Sequence, residues 1–135
     1  MFLPLLYDSG KITGIAAVSA AAFTKGNACK DNGSGYLTPS EAGDNTDVHF
    51  VALQTLTIVT SGDLIVVIRT KDVVFLADTD ANPAQTDVGT EADLASAATV
   101  DPDASTDDVF YIESIRGAVS DKKVIGWFTQ GVPNS

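Results

Sequence analysis

Carboxylates are the side chains of this chain with the most obvious capacity for chemistry. From Asp72 to Glu113 there are eleven acids, Asp72, Asp78, Asp80, Asp87, Glu91, Asp93, Asp101, Asp103, Asp107, Asp108 and Glu113, and not one lysine or arginine. Clustered carboxylates can gather a hard cation, and Asp78-Thr79-Asp80-Ala81-Asn82 copies the opening of a calcium loop, in which alternating oxygens converge on one ion. The match then fails, because Pro83 stands where such a loop needs glycine for its sharp turn and Gly89 stands where it needs a bidentate glutamate. Paired carboxylates can also hydrolyse by acid/base catalysis, but only if one is held where its pKa is raised. These lie in polar sequence, so the expectation is one long, solvated acidic loop from Asp78 to Asp108.

Nucleophilic and metal chemistry find less. His49 is the sole histidine and sits within a strand-like run, and Gly33-Ser34-Gly35 lacks the G-x-S-x-G spacing of a nucleophile elbow. One histidine and the single Cys29 cannot furnish a conventional zinc site, and a lone cysteine cannot form an internal disulfide. The glycines are scattered among turns and never form a phosphate-cradling loop. The expectation is therefore a protein that is not an enzyme, with no catalytic residue, no metal and no cofactor. Trp127 and Phe128 are expected in the core, as aromatic residues in strands commonly are.

The elements that must position these residues read as strands. Lys11 to Val18 is a candidate first strand, and Ala28 to Lys30 leads through Asp31-Asn32-Gly33-Ser34-Gly35 into Tyr36 and Leu37, a hairpin signature. A β-branched and aromatic run from Val48 to Leu53 continues through Leu56 to Thr60. Leu64 to Thr70 is apolar enough for a central strand buried on both faces, and Val73–Leu76, Val109–Ile115 and Val124–Phe128 follow. Thr90 followed by Asp93 is a loose capping pattern that predicts a helical turn over Glu91 to Ser96. Short strands divided by Gly-, Asp- and Pro-containing turns predict an all-β fold, a small antiparallel sandwich or barrel. Pro4 disfavours a helix in residues 1–10, which read as an extended N-terminal arm ahead of a single β domain over residues 11–135.

Composition narrows the function. A chain of 135 residues with 44% hydrophobic content suffices for one packed core. Eighteen acids against eight bases give a net charge of -10, which repels phosphates and leaves no basic footprint for nucleic acid. The apolar stretch from Ile12 to Phe23 loosely imitates a signal peptide but is short and interrupted by Thr13, Gly14 and Ser19, and no stretch reaches the roughly 20 apolar residues of a membrane-spanning helix.

Three stretches carry a resemblance: Phe23-Thr24-Lys25-Gly26-Asn27-Ala28 before Gly33-Ser34-Gly35-Tyr36-Leu37-Thr38-Pro39; Asp78-Thr79-Asp80-Ala81-Asn82-Pro83-Ala84; and Lys122-Lys123-Val124-Ile125-Gly126-Trp127-Phe128. Together they resemble the capsid decoration, or cement, proteins of tailed bacteriophages. The resemblance implies a virion structural protein on the outer surface of the capsid, whose partner is the major capsid protein and which forms a homo-oligomer, with a trimer favoured. It implies no catalytic residue. The apolar arm is then the expected capsid contact, through Phe2, Leu3, Leu5, Leu6 and Tyr7, by adding a strand to an exposed edge. Two other readings remain open: a virion fibre or host-attachment module that presents the acidic loop, and a secreted calcium- or carbohydrate-binding domain.

Overall fold

The computed structural model describes residues 1–6, 13–44, 48–57 and 59–129, with residues 6 and 13–17 described by their backbone alone. Eleven strands are present among them: β1 (Phe2–Leu6), β2 (Thr13–Ala17), β3 (Ala28–Asp31), β4 (Leu37–Pro39), β5 (Phe50–Ala52), β6 (Leu64–Arg69), β7 (Val74–Thr79), β8 (Glu91–Ser96), β9 (Thr99–Asp101), β10 (Phe110–Ile115) and β11 (Lys123–Phe128). Short 3-10 turns at Gln85–Asp87 and Val119–Asp121 are the helical pieces among the described residues. The fold is all-β, as the strand-rich pattern implies.

One sheet has six strands in the order β1-β7-β11-β10-β8-β9, and β7 also pairs with β9, so the sheet closes into a barrel. That closing pair, Asp78 with Thr99 and Thr79 with Val100, is parallel, which departs from the purely antiparallel expectation. The chain between β7 and β9 makes this possible by contributing β8, a strand that takes the role a crossover helix would otherwise have. The second sheet has five strands in the order β2-β6-β5-β3-β4, all antiparallel.

The second sheet contributes to two cores because successive residues along its strands point to opposite faces. Ala28, Val51 and Ile68 join the barrel interior, while Cys29, Ala52, Ile65 and Val67 pack with Val18, Phe23 and Leu37 on the other side. β6 meets its expectation only in part. Ile65, Val67 and Ile68 are fully buried, but Leu64 is 63% exposed and Val66 lies at the surface, so of the face they share with Ile68 only the Ile68 end is covered.

The long polar segment is more structured than its composition implies. It carries β8 and β9, and Glu91 to Ser96 is a strand instead of a helical turn. The alternative wins because Ala92 and Leu94 are buried in the barrel, a tertiary gain that a solvated helical turn could not match. The hairpin between β3 and β4 forms as expected. Asn32 Oδ1 accepts the Ser34 and Tyr36 amides, and Gly33 and Gly35 take the positive φ values of 88° and 86°.

The described part of the N-terminal arm, residues 1–6, is extended and forms a strand of the barrel sheet. Phe2 to Leu6 pairs antiparallel with β7, and Phe2 is 1% exposed. Its ring packs against Phe128 at 4.9 Å, Phe110 at 5.7 Å and Phe75 at 6.4 Å between centroids. Phe75 and Phe110 in turn meet Phe128 edge to face at 5.3 and 5.2 Å. Such aromatic pairs add to the apolar burial that drives the core.

Candidate functional site

The acidic residues are spread over different elements and hold different partners. Asp78, on β7, accepts a hydrogen bond from Lys123 Nζ on β11 and one from the Met1 ammonium at 3.0 Å. The Met1 ammonium also donates to the Ala98 carbonyl, just before β9. Burial works against the Asp78 charge, but the bonds from Lys123 and Met1 prevail and lower its pKa. The residue that heads the calcium-loop resemblance thus ties three strands of the barrel through β1, β7 and β11.

Asp93 is the most buried acid among the described residues, at 7% exposure. Its Oδ1 accepts the amides of Asp107 and Asp108 at 2.7 and 2.9 Å, and its Oδ2 accepts the Thr106 amide at 3.0 Å. Desolvation raises its pKa, yet the three backbone donors outweigh that and lower it. A catalytic acid would need the opposite shift. The side chain is instead the anchor of the 102–108 turn, and Asp108 within that turn adopts φ 56° with its carboxylate accepting from Ser105 Oγ. Among the described residues no group of three or more His, Cys, Asp or Glu side chains is arranged to hold a metal ion.

The remaining candidates are also placed by packing. His49 precedes β5, where its carbonyl accepts the Thr70 amide and its ring meets Phe50 edge-on. Cys29 is fully buried, and burial pushes its thiol up to about 12, with the Ala52 backbone hydrogen bond acting in the other direction. Ser34 lies in the exposed hairpin turn that follows β3, the strand that carries the fully buried Cys29.

A different feature emerges on the outward face of the barrel. In a strand, adjacent residues point to opposite sides, so Trp127 and Phe128 cannot both be inside. Phe128 is core at 4% exposure, whereas Trp127 is 36% exposed and stacks on Tyr111 at 4.7 Å between centroids with planes 19° apart. The expectation that both aromatics are core is thereby corrected for Trp127. Leu3 pairs with Leu76, and Leu76 with Ile125, giving a row of aliphatic side chains across β1, β7 and β11 on the same outward face. Leu3 and Leu5 are 40% and 37% exposed.

The expected arm contacts therefore divide. Phe2 is corrected: it is a core residue and has no surface to offer a partner. Leu3 faces outward opposite Leu76, and Leu5 is exposed where the β1 register shifts between Pro4 and Leu6. Leu6 belongs to β1 by its backbone, and Tyr7 lies outside the described residues. The signal that could have found the face is the two-residue alternation of Ile125 and Trp127 in β11 with the buried residues between and beside them.

No protein family, curated protein or solved structure matches the chain. Among the described residues no helix is long and apolar enough to cross a membrane.

Proposed function

We propose that the chain is a structural virion protein that binds the outside of a tailed-phage head and stabilises the lattice of the major capsid protein, without covalent chemistry and as a homo-oligomer for which a trimer is the expected order. The observation that carries the proposal is where the three resembling stretches meet. Gly26, in the first, accepts the Phe2 amide through its carbonyl and packs so closely on Met1 that an added Cβ would fall 2.3 Å from Met1 Cγ. Asp78, in the second, binds the Met1 ammonium and Lys123, in the third. Stretches some fifty residues apart thus converge around Met1 at one corner of the barrel, and this shared position supports reading them together.

An acidic β-barrel of this kind suits the outside of a shell, since its charge of -10 gives it no attraction to the packaged genome. The mechanism is linkage. A protein that binds only the assembled, expanded lattice stabilises it by about 2.7 kcal/mol per site at 100-fold excess over Kd, and the contributions of many sites sum over the shell.

The test is cosedimentation of the purified chain with expanded heads that lack it, repeated on unexpanded proheads. Saturable binding to expanded heads, at a copy number that follows the number of lattice positions, is the expected result. A folded protein that leaves expanded heads unbound would overturn the proposal.

A further inference from the structure

Sheet faces that meet water normally alternate polar side chains outward, yet the outward side of this barrel carries the exposed Leu3, Leu5 and Trp127 with the half-buried Leu76, Ile125 and Tyr111. The charges beside it are unevenly placed. Tyr111 pairs with Glu91 at the start of β8, and the turn that joins β9 to β10 brings Asp101, Asp103, Asp107 and Asp108 to the same end of the sheet as the Trp127–Tyr111 stack. No lysine or arginine lies between Asp72 and Glu113 to offset them. Lys122, Lys123 and Arg116 sit at the opposite end, where Lys123 is already paired with Asp78.

We propose that this face is the docking surface of the chain, and that its occupant is a protein surface with an apolar centre bordered by arginine or lysine. The stacked pair has the makings of an anchor: two aromatic rings, preorganised against each other, with little side-chain entropy left to lose on burial. The acids at that end steer and orient a cationic rim. A second copy of the chain brings the same net charge of -10 and the same acidic end, which opposes direct stacking of these ends on each other. The inference rests on the capsid reading, in which the occupant belongs to the major capsid subunit. It replaces a free arm as the contact with a rigid barrel face to which Leu3 and Leu5 contribute.

The experiment compares full-length wild type with Trp127→Ala, Leu3→Ser, the double variant Glu91→Gln/Asp103→Asn, and Leu64→Ser on the other sheet, each first shown to unfold cooperatively. Binding to expanded heads is measured at two salt concentrations, and self-association by sedimentation equilibrium. We expect Trp127→Ala to weaken binding about tenfold or more, as loss of a central aromatic anchor does. Leu3→Ser should weaken it less, the charge variant should flatten the salt dependence, and Leu64→Ser should bind as wild type does. If wild type binds and Trp127→Ala binds equally well, the docking face is wrong while the capsid reading stands. Wild type that leaves expanded heads unbound overturns both. If Trp127→Ala dissociates an oligomer while each chain still binds heads unchanged, the face is a self-interface and the proposal fails.

Discussion

Gly126 lies directly against Tyr111: a Cβ at Gly126 would fall 1.8 Å from the Tyr111 carbonyl oxygen and 2.8 Å from Phe110 Cε1. The contact occurs next to the point where β10 shifts register against β11, between Ile112 and Ser114. Glycine is required here for space, since its backbone is not in the left-handed region. Gly126→Ala is expected to cost about 3 kcal/mol or more, because both obstacles are pinned, one being backbone and the other a buried ring. Thermal unfolding checks this, with a drop of about 10 °C or more expected. An unchanged Tm would mean that the β10–β11 ladder opens at no cost.

Asp93 should make the fold sensitive to acid. Its folded pKa is lowered, so it contributes stability above the unfolded carboxylate value of about 3.9, and that contribution is lost as pH falls through the folded value. Asp93→Asn keeps one acceptor for the Asp107 and Asp108 amides but turns an NH2 group toward the Thr106 amide, donor against donor. The expected loss at pH 7 is about 1–3 kcal/mol, read from urea midpoints. The gap between wild type and variant should narrow as the pH is taken below the ordinary carboxylate range. A gap that stays constant with pH would show that the carboxylate charge contributes nothing.

Much of this was legible in the chain because β-strands leave local marks. The Asp31–Gly35 turn, the run from Ile65 to Ile68 and the last strand are all encoded within a few residues, through turn chemistry and β-branched side chains. What escaped local reading depends on partners far away. Asp93 looks like one more solvated acid until the 102–108 turn folds over it, thirteen to fifteen residues later. Glu91 to Ser96 lacks a strand composition and becomes one because the barrel needs Ala92 and Leu94 to close. Trp127 was readable in principle, since a strand that buries Phe128 must turn its neighbour outward.

Cys29 should be silent to thiol reagents in the native state. Its side chain is fully buried, donates to the Asn27 carbonyl at 3.3 Å, and holds a thiol raised to about 12, so the nucleophilic thiolate is scarce at pH 8. Labelling with a chromogenic disulfide is expected to be slow without denaturant and complete in urea, and its rate then reports the opening of the core around Val18, Phe23 and Leu37. Rapid labelling of the folded protein would contradict the packing of that core.

The arm offers a final contrast, between adjacent residues of one strand. Phe2 and Leu3 differ by one position, and so by one side of the sheet: Phe2 is held among Phe75, Phe110 and Phe128, while Leu3 lies 40% exposed opposite Leu76. Phe2→Ala removes an aromatic ring from the centre of the barrel and should cost about 3–5 kcal/mol, whereas Leu3→Ser should change stability by about 0.5 kcal/mol or less. Urea unfolding of the two variants separates them. The order matters for binding as well, since a variant at Phe2 that loses head attachment has lost the fold first, and only the loss at Leu3 with an intact unfolding transition speaks to a contact. Equal and small losses of stability at both positions would mean that β1 is not a structural strand of the barrel, and would return the arm to the role of a free extension.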